Sequence, residues 1–215
     1  MQHLLHLQLA STLCNTYYIQ NMRKRSGTWL MLCYNLPADS STQRVYVWRK
    51  LKNAGVFYWQ NAVCLLPERP GLQRLFEQLQ KEIEARKGNA TISTIQLPDP
   101  KEHASTVARF QQQANEEYQE FLGRCRDFHA ELEKERKESH FTFAELEENE
   151  VELDKLRSWL PKIRERDYFK AALRGKAEAA LAACGKDFAR FGAQVAKANE
   201  REFQGSSTQH RKGKV

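Results

Sequence analysis

Thr28-Trp29-Leu30-Met31-Leu32-Cys33-Tyr34 is an uncharged apolar run closed by Asn35-Leu36-Pro37. A run of this length, bounded by a proline-containing turn, reads as a strand buried on both faces. Asp39 or Ser40 can cap a helix that reaches about Asn53. Val45, Trp48 and Leu51 fall at i, i+3, i+6 and predict its buried stripe, and Gly55 predicts its end. Residues 56–59 and 62–66 read as a hairpin around Gln60-Asn61. Residues 72–87 place Leu72, Leu75, Phe76, Leu79 and Ile83 on one side of a second helix, stopped by Gly88-Asn89. Residues 90–97 alternate and predict a more exposed strand. The order β-α-β-β-α-β is that of a ferredoxin-like module over residues 28–98, with two helices on one face of a four-stranded sheet. The other face, apolar through the first and third strands, needs a cover: a second copy, or the rest of the chain.

After residue 98 the period becomes helical. Phe110, Ala114, Tyr118, Phe121, Cys125, Phe128 and Leu132 make one heptad seam, and Leu173, Ala177, Leu181, Cys184, Phe188, Phe191 and Val195 repeat its spacing. Between them, Thr142 with Glu145 forms a capping box, and Phe141 with Leu146 a hydrophobic staple. The helix that follows carries Leu153, Leu156, Leu160 and Ile163, with Pro161 as a kink or restart. Residues 99–202 are therefore expected to form a three-helix antiparallel bundle, giving an α+β chain. Residues 203–215 are polar and basic and are expected to be a disordered tail. Residues 1–27 are expected to be a disordered extension and basic arm. Residues 1–10 are apolar but lack the preceding positive charge of a signal peptide, and Met22 reads as the natural start, just before Arg23, Lys24 and Arg25.

Of the 215 residues, 41% are hydrophobic and 28% charged, which excludes a wholly disordered chain. No apolar run reaches the 18 or so residues of a membrane helix, so no membrane partner is expected. The net charge of +7 is unevenly spread: +6 over residues 1–60, zero over 61–100, −6 over 101–160 and +7 over 161–215. Basic ends around an acidic middle favour a polyanion such as double-stranded DNA. The candidate phosphate contacts are Arg23, Lys24 and Arg25 on the arm and Arg44, Arg49, Lys50 and Lys52 on the first helix. Arg174, Lys176, Lys186 and Arg190 form a second basic group.

Catalytic and metal signatures are missing. There is no HExxH, Walker A, GxSxG or zinc-type Cys/His spacing, and no histidine has a Glu three residues before it. Neither catalytic nor metal-binding residues nor a cofactor are expected, and the chain is not read as an enzyme. Glu145, Glu147, Glu148, Glu150, Glu152 and Asp154 wrap around their helix as a solvated face. His140 reads as a turn residue and the four tryptophans as core. The five cysteines, Cys14, Cys33, Cys64, Cys125 and Cys184, contain no CxxC and read as buried reduced thiols, with a redox role open for Cys33 and Cys64 on adjacent strands.

Several segments carry a resemblance. Residues 29–37, Arg44 to Gly55, Cys64-Leu65-Leu66-Pro67, Glu117-Tyr118, Phe141 to Glu147, Lys155 to Leu160 and Arg166-Asp167-Tyr168-Phe169 resemble, in this order, the amino-terminal domain of the ChrB chromate-resistance regulators. The resemblance implies a cytoplasmic transcription regulator of a chromate efflux operon, DNA binding and a response to the chromate oxyanion; a homodimer is also expected. Members of that family carry a second, carboxy-terminal domain with no counterpart here, so sensing is expected to need a separate part. The first module is also similar to the ferredoxin-like domain of PaaX-type repressors and of small dimeric CRISPR-associated nucleases. Where those nucleases carry a metal-binding Asp this chain has Asn35, a poor ligand for a hard cation. The alternative to a DNA-binding regulator is a helical adaptor that pairs with a separate chromate-sensing protein without touching DNA.

Overall fold

A computed structural model describes residues 27–37 and 41–212, and the side chains among these up to residue 200. Cys14, the arm Arg23–Arg25 and the expected caps Asp39 and Ser40 lie outside the described residues. The elements follow as β1 (Thr28–Asn35), α1 (Ser41–Asn53), β2 (Phe57–Gln60), β3 (Val63–Pro67), α2 (Leu72–Glu84), β4 (Asn89–Gln96), α3 (Pro100–Glu138), α4 (Phe143–Arg166) and α5 (Arg174–Lys212). They form two compact units that divide between Phe110 and Gln111.

In the first unit the strands order as β2-β3-β1-β4, every neighbouring pair antiparallel. This is the ferredoxin-like order, with β1 at the centre. Register sorts the side chains: Leu30 and Leu32 align with Leu66 and Cys64 on one face, while Trp29 and Met31 align with Pro67 and Leu65 on the other. All but Met31 and Pro67 of these have at most 1% exposure; Pro67 is also buried and Met31 is half-buried. The cover that the second face required comes from the same unit. The ring of Phe110, on the first part of α3, stacks on Trp29 and meets Phe57 at 5.8 Å, and His103 meets Trp29 at 5.4 Å. The unit thus continues past residue 98, the expected module end, to Phe110.

α1 and α2 end in the same way. Gly55, at φ 64°, lies between Gly55 N–H donating to Lys52 O (2.9 Å) and Val56 N–H donating to Leu51 O (3.3 Å). These two bonds are the Schellman closure, whose left-handed residue is normally glycine. After α2 the same pair of bonds joins Lys87 to Glu84 and Gly88 to Ile83, but the left-handed residue is Lys87, at φ 59°. Gly88 serves a different need: a Cβ there would lie 2.5 Å from the Asn35 carbonyl oxygen and 2.8 Å from Ile83 Cγ2.

The second unit comprises residues 111–138 of α3 with α4 and α5. Partners on α3 and α5 are a constant 58 residues apart: Asn115 with Leu173, His129 with Asp187, Arg136 with Gln194. The two helices therefore run parallel, and α4 returns between them, pairing Arg166 with Glu117 at one end. The second unit's part of the expected α3 seam is buried in full from Ala114 to Leu132, as are Leu153, Leu156, Leu160 and Ile163 of α4. On α5, Ala177, Cys184, Phe191 and Val195 are buried, while Leu181, Phe188 and, just before the helix, Leu173 are partly so. One half of the expected capping box is present: Glu145 N–H donates to Thr142 Oγ1 at 3.2 Å, and Phe141 and Leu146 both pack on the core. α4 passes through Pro161 without a restart. α5 continues to Lys212, so the backbone of residues 203–212, expected as a disordered tail, is helical. No helix among the described residues is long and apolar enough to cross a membrane.

Candidate nucleic-acid interface

The inner face of α1 differs from the predicted stripe. Val47 and Leu51 are completely buried, with Ala54 following, whereas Val45 is 45% and Trp48 47% exposed. A triplet at i, i+3, i+6 can sit on either side of the helix line it starts from. Here residues 47, 51 and 54 won the core, and Trp48 turned outward.

The consequence is an outer face of a different character. Arg44, Val45, Trp48, Arg49 and Lys52 fall at i, i+1, i+4, i+5 and i+8, one continuous exposed line along α1. Lys52 Nζ lies 5.2 Å from the centre of the Trp48 ring, a cation resting on an aromatic face. The Arg44 guanidinium donates to the Pro37 carbonyl at 3.1 Å, which steadies its base near the end of β1. For Arg49, no ion pair occurs among the described residues.

Lys50 belongs to another environment. It points along the flank toward α2, 3.7 Å from Glu82 and 5.5 Å from the Tyr46 ring centre. Tyr46 Oη donates to the same Glu82 at 3.0 Å, and Arg86 lies over the Tyr46 ring at 4.2 Å. Lys50 is thus part of the α1–α2 junction, with much of its charge answered. The structure gathers Arg44, Arg49 and Lys52 and separates Lys50 from them. Arg23, Lys24 and Arg25 lie outside the described residues.

The second basic group does not assemble a comparable surface. Arg174 bonds Glu178 at 3.4 Å and approaches Asp167 at 3.9 Å, and Arg190 donates to Asp187 at 3.1 Å. Lys176 and Lys186 are exposed. Two of the four charges are therefore already engaged by carboxylates.

The expectation that all four tryptophans are core fails for Trp48 and also for Trp59, which is 38% exposed. Sequence reading missed Trp48 and Val45 as members of the outer face. The signal was available in the alternative stripe, since Val47, Leu51 and Ala54 are an equally good apolar series. Asn35, at the end of β1, is exposed, as its position in the turn implies.

Two short segments that carried the resemblance meet in the second unit. Arg166 pairs with Glu117, and Tyr118 Oη donates to buried Asp167 Oδ2 at 3.1 Å. Asp167 Oδ1 in turn accepts from the Ala171 N–H at 2.8 Å, and Gln111 donates to the Phe169 carbonyl at 3.0 Å. Burial, with the carboxylate beside it, raises the Tyr118 phenol above its ordinary value, so it stays a donor. These residues clasp α3 to the turn between α4 and α5, and their role is architectural. The solvated acidic face of α4 likewise holds local pairs only, Glu152 with Lys155 at 2.5 Å and Asp154 with Arg157 at 3.0 Å.

Residues 44–202 match the family model described as "Protein ChrB, N-terminal". The chain is also 30% identical over 94 residues to Protein ChrB of Cupriavidus metallidurans, an alignment covering 44% of this chain and 28% of that relative.

Proposed function

Since the chain belongs to the ChrB amino-terminal family, we propose that it acts in chromate resistance as a DNA-binding transcription regulator, with the outer face of α1 as its phosphate-contacting surface. The observation that carries the reading is the exposed line Arg44, Val45, Trp48, Arg49 and Lys52. Three cations within about 12 Å of one helix give a concentrated positive charge for duplex phosphates, and counterion release supplies the affinity. Such contacts orient a protein without reading sequence. The basic arm Arg23–Arg25 would extend the surface, and a homodimer would double it. The reading assigns the chain binding and no catalytic turnover. The chromate oxyanion is the signal such a regulator would answer, and the place of action would be the cytoplasm.

One observation favours the adaptor reading. Val45 and Trp48 expose apolar surface that phosphates do not need, and an aromatic ringed by Arg and Lys also suits a protein partner. Salt dependence separates the two. On duplex DNA the full chain should bind with a steep negative slope of log affinity against log salt. Changing Arg44, Arg49 and Lys52 together to Ala should flatten that slope by about 2–3 units per protomer and weaken all sequences alike. A folded triple variant with unchanged affinity and slope rules out this face as the DNA surface. Absence of any salt-dependent retention of the native chain would favour the adaptor.

A further inference from the structure

Cys125 on α3 and Cys184 on α5 lie against each other in the core of the second unit, at 2% and 0% exposure. Cys184 Sγ is 3.8 Å from the Cys125 carbonyl oxygen. A third group distinguishes this pair from ordinary buried cysteines. His129 Nε2 stands 3.5 Å from Cys184 Sγ. The other ring nitrogen, Nδ1, is 2.7 Å from Asp187 Oδ2. Asp187 is itself held by Arg136 at 2.7 Å and Arg190 at 3.1 Å. One imidazole nitrogen is committed to a fixed carboxylate, so the other is the one presented to sulfur. The His129 side chain is 36% exposed, so the group that touches the buried sulfur also reaches water.

The first unit shows what this chain does with unassisted thiols. Cys64 pairs in register with Leu32, whereas Cys33 pairs with Val63, one step away. The two cysteines therefore project from opposite faces of the sheet and cannot join, which closes the redox role left open for them. Burial pushes the Cys64 thiol up to about 12.

We propose that Cys184, Cys125 and His129 form a peroxide-reactive dithiol site, with Cys184 as the attacking sulfur, His129 as its base and Cys125 as the resolving thiol. His129 takes the Cys184 proton. The thiolate attacks one oxygen of a hydroperoxide ROOH; the S–O bond forms, the O–O bond breaks, and the leaving alkoxide takes the proton from the imidazolium to depart as ROH. Cys184 is then a sulfenic acid. The Cys125 sulfur attacks it, the S–S bond forms, the S–O bond breaks, and the hydroxyl leaves with the Cys125 proton as water. Two thiols have lost two electrons and two protons, and the peroxide has become ROH and water. The substrate class is small and uncharged, as hydrogen peroxide is, because both sulfurs lie in the core at 0% and 2% exposure. The division of labour follows the local electrostatics. The hydrogen bond from Cys125 and the His129 charge lower the Cys184 thiol against its desolvation, and the same hydrogen bond, with burial, raises that of Cys125. Closing the bond would fasten α3 to α5 across 58 intervening residues.

Peptide mapping of the full chain tests this. The reduced protein is exposed to limiting hydrogen peroxide, quenched with N-ethylmaleimide and digested without reductant. The expected product is a linked pair of peptides containing Cys125 and Cys184, appearing while Cys33 and Cys64 remain alkylated. In Cys125→Ser, dimedone should label Cys184. In His129→Gln the rate should fall by about tenfold, the thiolate share lost as a depressed thiol returns toward the free value near 8.5. The native chain decides the matter whether or not a variant folds. A map with no Cys125–Cys184 link, or with Cys33 and Cys64 oxidised as fast as Cys184, overturns the proposal.

Discussion

The indole of Trp29 and the ring of Phe110 lie face to face, with 5.6 Å between centroids and 13° between planes. Trp29 belongs to the central strand and Phe110 to the eleventh residue of the long helix α3, so the sheet's second face is closed by sequence that reads as bundle. Phe110→Ala removes the stacked ring and leaves a hole over Trp29. The cost should be about 3–5 kcal/mol, read as a shift of the urea midpoint. Trp fluorescence should move to longer wavelength as water reaches the indole.

The bundle's seam is graded, and the grading is testable. Phe121 is fully buried, while Phe188 is only partly so. Phe121→Ala should cost about 3–5 kcal/mol, and Phe188→Ala roughly half of that or less. Equal losses at the two sites in chemical denaturation would contradict this packing.

Two neighbouring substitutions after α2 should act in opposite directions. Lys87 holds a left-handed backbone that costs a side-chain-bearing residue about 1–2 kcal/mol, so Lys87→Gly should raise the melting temperature. Gly88→Ala would drive a Cβ to 2.5 Å from a backbone oxygen and should cost about 1–3 kcal/mol. Differential scanning calorimetry of the two variants checks both signs.

Asp187 gives the second unit an acid-sensitive element. Burial pushes its carboxyl up, but hydrogen bonds from His129 and Arg136 outweigh that and hold it below the ordinary 3.8. The facing groups are His129 and Arg136 from α3 and Arg190 from α5 itself. A carboxylate depressed in the folded state stabilises fully above its unfolded value. That stability is lost as the pH falls below 3.8 and through the lower folded value. Asp187→Asn should be about 1.5–3 kcal/mol less stable at neutral pH. It should also show a shallower fall in stability below about pH 4, followed by circular dichroism.

Much of this architecture could be read before any coordinates. The run from Thr28 to Tyr34, the hairpin and the heptads at Phe110–Leu132 each had one periodicity to obey, and the core obeys it. α1 was legible as a helix but not in its rotation. Val45, Val47, Trp48, Leu51 and Ala54 offer two overlapping apolar lines, and only the sheet beneath decides which is buried. That ambiguity hid Trp48 from the candidate surface. It did not affect Arg44, Arg49 and Lys52, which are exposed on either choice. The thiol site was hidden for another reason. Cys125 and His129 are four residues apart on one helix, Cys184 and Asp187 three apart on another. Each half looks ordinary until the 58-residue offset between α3 and α5 brings them together.

The central position of β1 also sets an order of events during synthesis. It is the first strand of the sheet to be made, yet its two neighbours are β3 and β4. While the ribosome works through residues 36 to 62, β1 has no mate, and its uncharged stretch must wait in α1's company. The hairpin β2–β3 supplies one edge at residue 67, and β4 seals the other only at residue 96. A nascent chain stalled before residue 96 would display a half-paired apolar ribbon, the kind of surface that holding chaperones bind. In the bundle α4 can fold back on α3 as soon as it is made, but α3 too waits 58 residues for its partners on α5. The strand made first is thus the one whose second edge is sealed last in its sheet.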